Sequence, residues 1–433
     1  MAAKVKAIGI GLMGVGVIGT GVADVLLRKV DKLAKEAGIS LVLKKVLEKD
    51  TTKYGMLGID PEIFTANFTD IISDDEIDIV IELVGGEHPA FEFISEALDS
   101  GKHVVTANKE VLAKHGCELL ALARKKRVGL RYEASVGGGI PLISPFLNDL
   151  IANDIKAIHA IVNGTTNYIL TRMSQDNLDF LVALKQAQDL GYAEANPAND
   201  VEGLDAAYKL AILATIAFGS DIRLDNIYYE GISRLKACDF RYAKELGYAI
   251  KLLAIAKQNG NAIEARVHPV LISEDALLAK VDGVYNAIEV EGDLVGKVIF
   301  YGQGAGSSPT SSAVVADVIN LAQSISRGVE CIPKLPFGCN KTVKHMSDIE
   351  TRYYVRMNIV DQAGVLAQIS KVLGDNAISI ASVIQKESDP STQSAEVVIM
   401  THNAKERAVQ KALKETEQLP VVNEISNFIR VEG

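Results

Sequence analysis

A glycine-rich turn directly follows the first apolar run of the chain. Gly14, Gly16 and Gly19 form the pattern GxGxxG between a predicted strand and a predicted helix. The first glycine permits a tight turn, the second lets a pyrophosphate approach the backbone, and the third lets helix and strand pack closely. The N–H groups at the helix start then face the phosphate. The pattern predicts a dinucleotide site at Gly14, Val15, Gly16, Val17, Ile18 and Gly19. The alternative is a glycine turn that serves packing alone.

Strands and helices alternate along the first part of the chain. Strands are predicted over 39–47, 78–83, 103–106 and 128–135, with helices between them. Strands that alternate with helices form a parallel sheet with helices on both faces. We therefore expect an α/β fold whose first domain, residues 1–134, is of the Rossmann type and is completed by a helix at 307–327.

The remaining sequence predicts two further domains. Residues 135–306 mix strands with long helices, among them 203–218 and 239–258, and indicate an α+β domain with a partly antiparallel sheet. Residues 328–350 contain prolines and scattered charges without an apolar period, which predicts a linker. Residues 351–433 follow the order β-α-β-β-α-β, the ferredoxin-like arrangement.

Composition argues against several classes of function. The chain has a net charge of −10 and no basic run, so nucleic-acid binding and attachment to anionic membranes are disfavoured. The uncharged stretch 7–23 is short and glycine-rich for a membrane span, and an amphipathic helix follows it. The four cysteines form no CxxC pair, and no two histidines have metal-ligand spacing. We therefore expect a cytoplasmic protein without structural zinc.

A loop rich in carboxylates leads into a strong helix pattern at residues 187–209, AQDLGYAEANPANDVEGLDAAYK. It brings Glu194 and Asp200 close in sequence to Asp205 and Lys209, which share one helix face because they are four residues apart. Carboxylates in such a cluster can bind an amino group, and the lysine among them can donate a proton to a developing alkoxide. Taken alone, an Asp–Lys pair four residues apart is usually a solvated surface contact, and a second signal is needed to favour a site.

Further turns join strands to helices where ligands often bind. Thr106-Ala107-Asn108-Lys109 follows a predicted parallel strand, so its lysine could reach nicotinamide and substrate, or could simply start a helix in solvent. Asn163-Gly164-Thr165-Thr166-Asn167 offers hydroxyl and N–H groups for a carboxylate, or ordinary helix capping. The turn YGQGAG that ends at Gly306 could return the chain to the cofactor site, or could simply start the following helix.

Two features leave their interpretation open. The turn from Glu133 to Pro141, EASVGGGIP, could coordinate a monovalent cation through carbonyls, although by sequence alone a structural hinge is favoured. At the end of the second strand, Glu48 favours NAD because it could bind the ribose 2′-hydroxyl. Lys49 favours NADP because it could pair with a 2′-phosphate.

Together these motifs resemble the homoserine dehydrogenase family, in its longer form with a C-terminal ACT domain. The resemblance spans the whole chain and rests on GLMGVGVIGTGV, TANK, YEASVGGGIP, NGTTNYIL, the 187–209 segment and YGQGAGSSPT, in the family's order. It implies reversible NAD(P)-dependent reduction of L-aspartate 4-semialdehyde to L-homoserine, a step toward threonine, methionine and isoleucine. It also implies that residues 135–306 form the catalytic and dimerisation domain of a homodimer or homotetramer.

The resemblance assigns roles to individual residues. Lys209 would donate the proton, with Asp205 beside it and Lys109 between cofactor and substrate. Substrate would bind at Glu194, Asp200, Gly164 and Thr165, with Glu194 holding the amino group. The cofactor would also contact Lys49, Thr106, Lys109 and Gly306. Sodium would bind the backbone around Glu133, Val136, Gly138 and Ile140. Glu48 departs from many members, which have a small or apolar residue there.

The resemblance also predicts an amino-acid site in the C-terminal domain. Asp361, Gly364 and Val365 lie where ACT domains bind amino acids, and threonine is the expected effector because it lies downstream. A dimerisation domain without ligand is the alternative.

Two other functions are disfavoured by the sequence. Other ACT-linked dehydrogenases should show a catalytic histidine or an arginine cluster, which has no match here. A non-catalytic amino-acid sensor is disfavoured by the intact set of carboxylates and lysine.

Overall fold

The computed structural model describes residues 7–54, 60–333, 341–389 and 393–433. Internal contacts divide the chain into two units. The first contains Met1–Ile155, Tyr208–Leu224 and Glu291–Asn340, and the second contains Lys156–Ala207, Asp225–Val290 and Lys341–Gly433. The domain boundaries drawn from the sequence stay a prediction beside this division.

The strands are numbered in chain order. They are β1 (Ala7–Met13), β2 (Ser40–Leu47), β3 (Phe64–Thr65), β4 (Ile79–Glu82), β5 (His103–Thr106), β6 (Leu130–Arg131), β7 (Ile155–Ile161), β8 (Tyr228–Tyr229), β9 (Tyr248–Asn259), β10 (Ala262–Ser273), β11 (Tyr285–Gly292), β12 (Gly296–Gln303), β13 (Thr342–Val343), β14 (Glu350–Val360), β15 (Ile380–Asp389), β16 (Ser394–Thr401), β17 (Ala404–Lys405) and β18 (Val422–Glu432).

The α-helices are numbered in the same way. They are α1 (Val17–Arg28), α2 (Val30–Ala37), α3 (Thr69–Ile72), α4 (Ala90–Asp99), α5 (Lys109–Lys126), α6 (Ile143–Leu147), α7 (Gly164–Gln175), α8 (Phe180–Asp189), α9 (Ala198–Val201), α10 (Leu204–Phe218), α11 (Ala237–Glu245), α12 (Ser307–Ser326), α13 (Val365–Asp375) and α14 (Glu406–Glu417). Within the described ranges, no helix is both long enough and apolar enough to cross a membrane.

A six-stranded parallel sheet forms the centre of the first unit. Its strand order is β3-β2-β1-β4-β5-β6. Ile8, Ile10 and Leu12 of β1 are fully buried in a core shared with α1 and α12, as expected for a central strand covered on both faces. The strand order reverses between β1 and β4, where open α/β sheets bind ligands. The Rossmann-type prediction is confirmed.

The strand predicted over 128–135 is wrong in its second half. β6 ends at Arg131, and Glu133–Ser135 form a turn of 3-10 helix. The backbone N–H of Glu133 donates to Asp317 Oδ2 at 2.8 Å, so this segment satisfies its hydrogen-bonding groups outside the sheet.

A long mixed sheet runs through the second unit. Its strand order is β11-β7-β9-β10-β18-β14-β16-β15. β9 and β10 form an antiparallel hairpin, and β10 then pairs in parallel with β18, the last strand of the C-terminal module. The predicted order β-α-β-β-α-β is confirmed as β14, α13, β15, β16, α14 and β18. The sheet of this module therefore continues directly into the sheet formed by β7, β9 and β10.

The helix predicted over 239–258 is wrong beyond its first turns. α11 ends at Glu245, Gly247 adopts a left-handed φ of +78, and β9 begins at Tyr248. Residues 250–256 are buried without alternation, because β9 is an inner strand of the sheet. A continuous apolar run gives no period that separates strand from helix.

The predicted linker is only partly a linker. Residues 334–340 lie outside the described residues. After them, Thr342 and Val343 form β13 and pair with Ala262 and Ile263 of β10, so this part of the segment is fixed to the sheet.

Candidate active site

The glycine turn between β1 and α1 has the geometry that its sequence indicates. Gly14 adopts φ +91, and a Cβ there would lie 2.7 Å from the carbonyl oxygen of Leu83. A Cβ at Gly19 would lie 2.0 Å from the Gly14 oxygen, whereas Gly16 has open space around it. Two glycines therefore allow the turn and the close packing, and Gly16 leaves room for a ligand at the helix start.

A cavity of about 290 Å³ adjoins this turn. It combines the glycine turn with the charged residues that follow β2 and with apolar side chains suited to a flat ring. Its lining comprises Gly14, Val15, Gly16, Leu47, Glu48, Lys49, Lys53, Leu83, Val84, Pro89 and Phe93.

The carboxylate of Glu48 is anchored in this cavity. Its Oε2 accepts hydrogen bonds from the Val15 N–H at 3.1 Å and from Lys53 Nζ at 3.0 Å, and its Oε1 accepts from the Asp50 N–H at 3.0 Å. Partial burial acts to raise the pKa of Glu48, but these hydrogen bonds outweigh it and lower the pKa. Glu48 is therefore a fixed negative charge beside the glycine turn, and Lys49 lies exposed in the same lining.

A buried carboxyl group organises the turn after β5. Glu82, the last residue of β4, accepts a hydrogen bond from Thr106 Oγ1 at 2.7 Å and one from the Val84 N–H at 2.7 Å. The Asn108 side chain donates to the Gly86 carbonyl at 2.7 Å and caps α5. Burial raises the pKa of Glu82. Sequence reasoning missed Glu82, although a charged residue at the end of the apolar run DIVI was a usable signal.

A second cavity of about 280 Å³ lies in the first unit beside that turn. It brings together residues from several of the predicted motifs, including Ile18, Lys109, Gly138, Lys209 and Gly306. Lys209 is buried, with 8% of its surface exposed, whereas Lys109 is half-buried at the start of α5. The remaining lining residues are Leu83, Gly85, Gly86, Ala107, Asn108, Glu110, Ala134, Ser135, Gly137, Gly304, Ala305 and Thr310.

The turn ending at Gly306 returns to the first glycine motif, as its sequence allows. Gly306 precedes α12 with φ +116, and the Ser307 hydroxyl donates to the Val17 carbonyl at 2.9 Å. The start of α12 is therefore held against the start of α1.

The residues from Glu133 to Ile140 form a tight turn that is buried except at Gly139. The Glu133 carboxylate accepts backbone N–H groups of Leu142, Ile143 and Ser144, so it is occupied by the protein itself. Burial raises the pKa of Asp317, which accepts the Glu133 N–H, to about 7. The backbones at Val136, Gly138 and Ile140 are also buried. Three backbone donors already engage the Glu133 carboxylate, so carbonyl oxygens would be the main ligands of a cation here.

In the second unit, one amide side chain joins two of the predicted carboxylates. Asn163 Nδ2 donates to Asp200 Oδ1 at 2.7 Å and to Asp205 Oδ2 at 2.8 Å. Its Oδ1 accepts the Thr166 N–H at 2.8 Å and so caps α7. Helix capping, one of the two alternatives that the sequence left open for this motif, is therefore present at Asn163, and the ligand-site role stays a prediction. The sequence marked this motif but did not select Asn163 as a site residue.

The other predicted substrate residues differ in what they contact. The Thr165 hydroxyl donates to the Tyr192 carbonyl at 2.7 Å, so it supports the 187–209 segment. Gly164 lies so close to Val284 that a Cβ would be 2.7 Å from its carbonyl oxygen. Glu194 is exposed in the turn before α9, and the structure does not join it to Asp200 and Asp205.

Helix α10 carries two residues of the predicted site, four positions apart. Asp205, 3% exposed, belongs to the cluster in the second unit, and Lys209 lines the cavity in the first unit. Residues four apart lie on the same face of a helix, so the spacing that the sequence indicated is present.

The three residues of the predicted effector loop in the C-terminal module differ in their burial and contacts. The Asp361 carboxylate accepts a hydrogen bond from Gln385 at 3.4 Å, and Gly364 adopts φ +89 at the start of α13 with open space around it. Val365 is 3% exposed and belongs to the module's hydrophobic core. In the described ranges, no cluster of histidine, cysteine and carboxylate side chains could hold a metal ion.

Three family models match consecutive parts of the chain. Residues 14–133 match the homoserine dehydrogenase NAD-binding domain, residues 141–319 match homoserine dehydrogenase, and residues 353–421 match the ACT domain.

Three individual proteins illustrate the similarity, two of them over 99% of this chain and one over 76%. A homoserine dehydrogenase from Helicobacter pylori is 43% identical over 431 residues, which is 99% of this chain and 100% of that protein. The crystal structure of a homoserine dehydrogenase from Thiobacillus denitrificans has a TM-score of 0.93 at 42% identity and covers 99% of both chains. A hyperthermophilic archaeal homoserine dehydrogenase in complex with NADPH has a TM-score of 0.62 at 25% identity, over 76% of this chain and 99% of that one.

Proposed function

The chain belongs to the homoserine dehydrogenase family, and on that premise we propose how its own residues carry out the reaction. It is an NAD(P)-dependent oxidoreductase of amino-acid biosynthesis with a C-terminal ACT domain. The proposed substrates are L-aspartate 4-semialdehyde and L-homoserine. The observation that carries the proposal is the buried Lys209 in a cavity that also holds Lys109 and Gly306.

We assign the proton transfer to Lys209. When bound, the nicotinamide supplies a hydride to the aldehyde carbon, and negative charge then develops on the aldehyde oxygen. A lysine ammonium group within hydrogen-bond distance stabilises that charge and donates a proton to it. Lys109 lies in the same lining, and its positive charge would favour the same developing alkoxide.

We assign recognition of the substrate's ammonium group to the carboxylates of the second unit. Asn163 holds Asp200 and Asp205 in fixed positions, and fixed carboxylates stabilise a cation without reorganising when it binds. Glu194 would add a third carboxylate from its exposed turn. Gly164 and Thr165 would contribute by holding the start of α7 and the Tyr192 carbonyl in place.

We propose that NAD is preferred over NADP. Glu48 is a negative charge fixed beside Val15, in the cavity where the adenosine ribose would bind. An acidic residue at this position accepts hydrogen bonds from the ribose 2′-hydroxyl and repels a 2′-phosphate. Lys53 is already paired with Glu48, and Lys49 alone would oppose this preference.

We propose sodium as a structural ion held by backbone carbonyls at Glu133, Val136, Gly138 and Ile140. The turn suits such an ion because these residues are buried and Glu133 is locked by backbone hydrogen bonds. The ion would rigidify the turn that lines the cavity at Gly138.

We propose that the ACT domain binds threonine at the loop of Asp361, Gly364 and Val365, and that the protein assembles as a homodimer or homotetramer. Gly364 leaves open space before α13, where N–H groups of the first helical turn can bind a carboxylate. Val365 would act by packing, since its side chain is in the core.

Replacing Lys209 with alanine should lower turnover by roughly two or more orders of magnitude, the usual scale for a positioned acid-base group, with little change in dinucleotide affinity. The measurement is nicotinamide absorbance during homoserine oxidation. Lys185→Ala is the control, because Lys185 pairs with Asp189 four residues away on an exposed helix face. Near-normal turnover in Lys209→Ala would remove Lys209 from this role.

Replacing Glu48 with serine should shift the ratio of kcat/KM for NAD to that for NADP at least about tenfold toward NADP. The reason is that the negative charge is lost while Lys49 and Lys53 remain beside the ribose. Glu76→Ser is the control, because Glu76 is exposed, pairs with Lys44 and does not line the cavity. An unchanged ratio in Glu48→Ser would contradict the assignment.

Sodium chloride should raise both Tm and the rate of homoserine oxidation relative to choline chloride at equal ionic strength, because a bound ion stabilises the folded state that holds it. Melting curves and initial rates across a concentration series measure this. Superimposable series in the two salts would argue against a sodium site.

Threonine at saturating concentration should change activity and Tm in the unaltered protein, and Asp361→Asn should weaken both responses, because a carboxylate facing the ligand's ammonium would be lost. Asp375→Asn, at the far end of α13, serves as control because Asp375 is exposed and pairs with Lys371. Light scattering on the same samples measures the oligomeric state. No response in the unaltered protein would indicate an ACT domain used for assembly alone.

A further inference from the structure

A buried arginine of the last strand reaches out of the ACT module toward the rest of the second unit. Arg430 on β18 is 2% exposed. Its guanidinium donates to Glu406 of α14 through Nη2 at 2.6 Å and through Nε at 3.0 Å. Its remaining nitrogen, Nη1, donates to Glu230 Oε2 at 2.8 Å. One planar cation therefore joins a helix of the module to the segment that follows β8.

Glu230 is in turn fixed by the sheet and by a neighbouring tyrosine. Its backbone N–H donates to the Val267 carbonyl of β10 at 2.8 Å. The Tyr228 hydroxyl donates to the same carboxylate oxygen that Arg430 binds, also at 2.8 Å. The carboxylate thus has two donors, and its position depends on both.

The backbone after Glu230 contacts the turn before α10 so closely that side chains are excluded. The Ile232 N–H donates to the Val201 carbonyl at 2.9 Å. A Cβ at Gly231 would lie 2.3 Å from that same oxygen, and a Cβ at Gly203 would lie 3.2 Å from the Glu230 carbonyl oxygen. Gly203 also has φ +86. A shift of the backbone at 230–232 would therefore be transmitted to the turn at 201–203.

This turn lies between the two carboxylates that Asn163 holds. Asp200 is one residue before it and Asp205 is two residues after it. The hydrogen bonds from Asn163 are 2.7 and 2.8 Å long, so a displacement of a few tenths of an ångström would weaken one or both.

We propose that Arg430 and Glu230 are positioning residues for substrate binding: they hold the 201–203 turn so that Asp200 and Asp205 face the substrate's ammonium group. This inference rests on the assignment of those two carboxylates under the proposed function. It makes the last strand of the ACT module part of the support of the substrate site, whether or not an effector is bound.

The chain offers a closely matched pair for the test. Glu230 is 27% exposed and accepts from Arg430 Nη1 at 2.8 Å, and Glu396 is 22% exposed and accepts from Arg356 Nη1 at 2.8 Å. Arg356 also binds Asp239 of α11, so it too joins the ACT module to the preceding part of the second unit. Glu396 lies on β16, away from the 201–203 turn in sequence and in its contacts.

The experiment measures KM for homoserine, KM for the dinucleotide, kcat and Tm in Glu230→Gln and Glu396→Gln. Glu230→Gln should raise KM for homoserine about fivefold to tenfold, the scale of couplings through packed networks, and leave KM for the dinucleotide unchanged. Glu396→Gln should lower Tm to a similar extent without this rise. A folded Glu230→Gln protein with normal KM for homoserine, or equal rises in both variants, would overturn the proposal.

Two further variants separate this inference from the assignment on which it rests. Asp205→Asn should raise KM for homoserine strongly. If it does so while Glu230→Gln has no effect, only the positioning role is lost. If Asp205→Asn has no effect, the assignment and this inference both fail. Tyr228→Phe removes the other donor to Glu230, and it should give a smaller rise in the same KM. It replaces Glu230→Gln if that variant does not fold, and an unchanged KM then overturns the proposal.

Discussion

The amide of Asn163 satisfies four partners, and the geometry of the second unit's site depends on it. Its oxygen accepts from the N–H and the hydroxyl of Thr166, and its nitrogen donates to Asp200 and Asp205. An amide cannot exchange its two ends without losing the bonds to the Thr166 N–H and to both carboxylates, so the start of α7 and both carboxylates are fixed relative to each other. Asn163 is itself neutral, so it positions the two carboxylates without adding a positive charge beside them.

The glycine turn of the first unit and the Asp–Lys spacing on α10 could be predicted from sequence, because both depend on residues close together in the chain. Gly14, Gly16 and Gly19 are separated by the spacing that a tight turn, a ligand approach and a helix packing contact each require. Asp205 and Lys209 are separated by one helical turn. The sequence did not indicate that Asn163 would face Asp200, 37 residues later, because such a contact depends on how distant segments pack. For the same reason Glu82 was missed: its partner Thr106 belongs to the neighbouring parallel strand.

The error at 239–258 has a physical origin in burial. The segment YAIKLLAIAKQN contains residues that favour helix and residues that favour strand, and inside the sheet both of its faces are apolar. Only Gly247, with its left-handed backbone, marks the end of α11. In the same sheet, side chains from three adjacent strands, namely His159, Lys257 and Arg266, surround Glu432. Burial alone would raise the pKa of Glu432, but these groups hold it well below its usual range.

The close contact between the turn at 201–203 and the segment at 230–232 also limits which substitutions this enzyme can accept. At Gly203 both the backbone angle and the nearby Glu230 oxygen oppose a side chain, and at Gly231 the Val201 oxygen and the Glu202 Cα do so. Gly191, by contrast, has a positive φ but open space, so an asparagine could be accommodated there at modest cost. Directed evolution toward other amino alcohols would therefore gain little from randomising positions 203 and 231. Productive libraries would concentrate on the exposed residues around Tyr192 and Glu194.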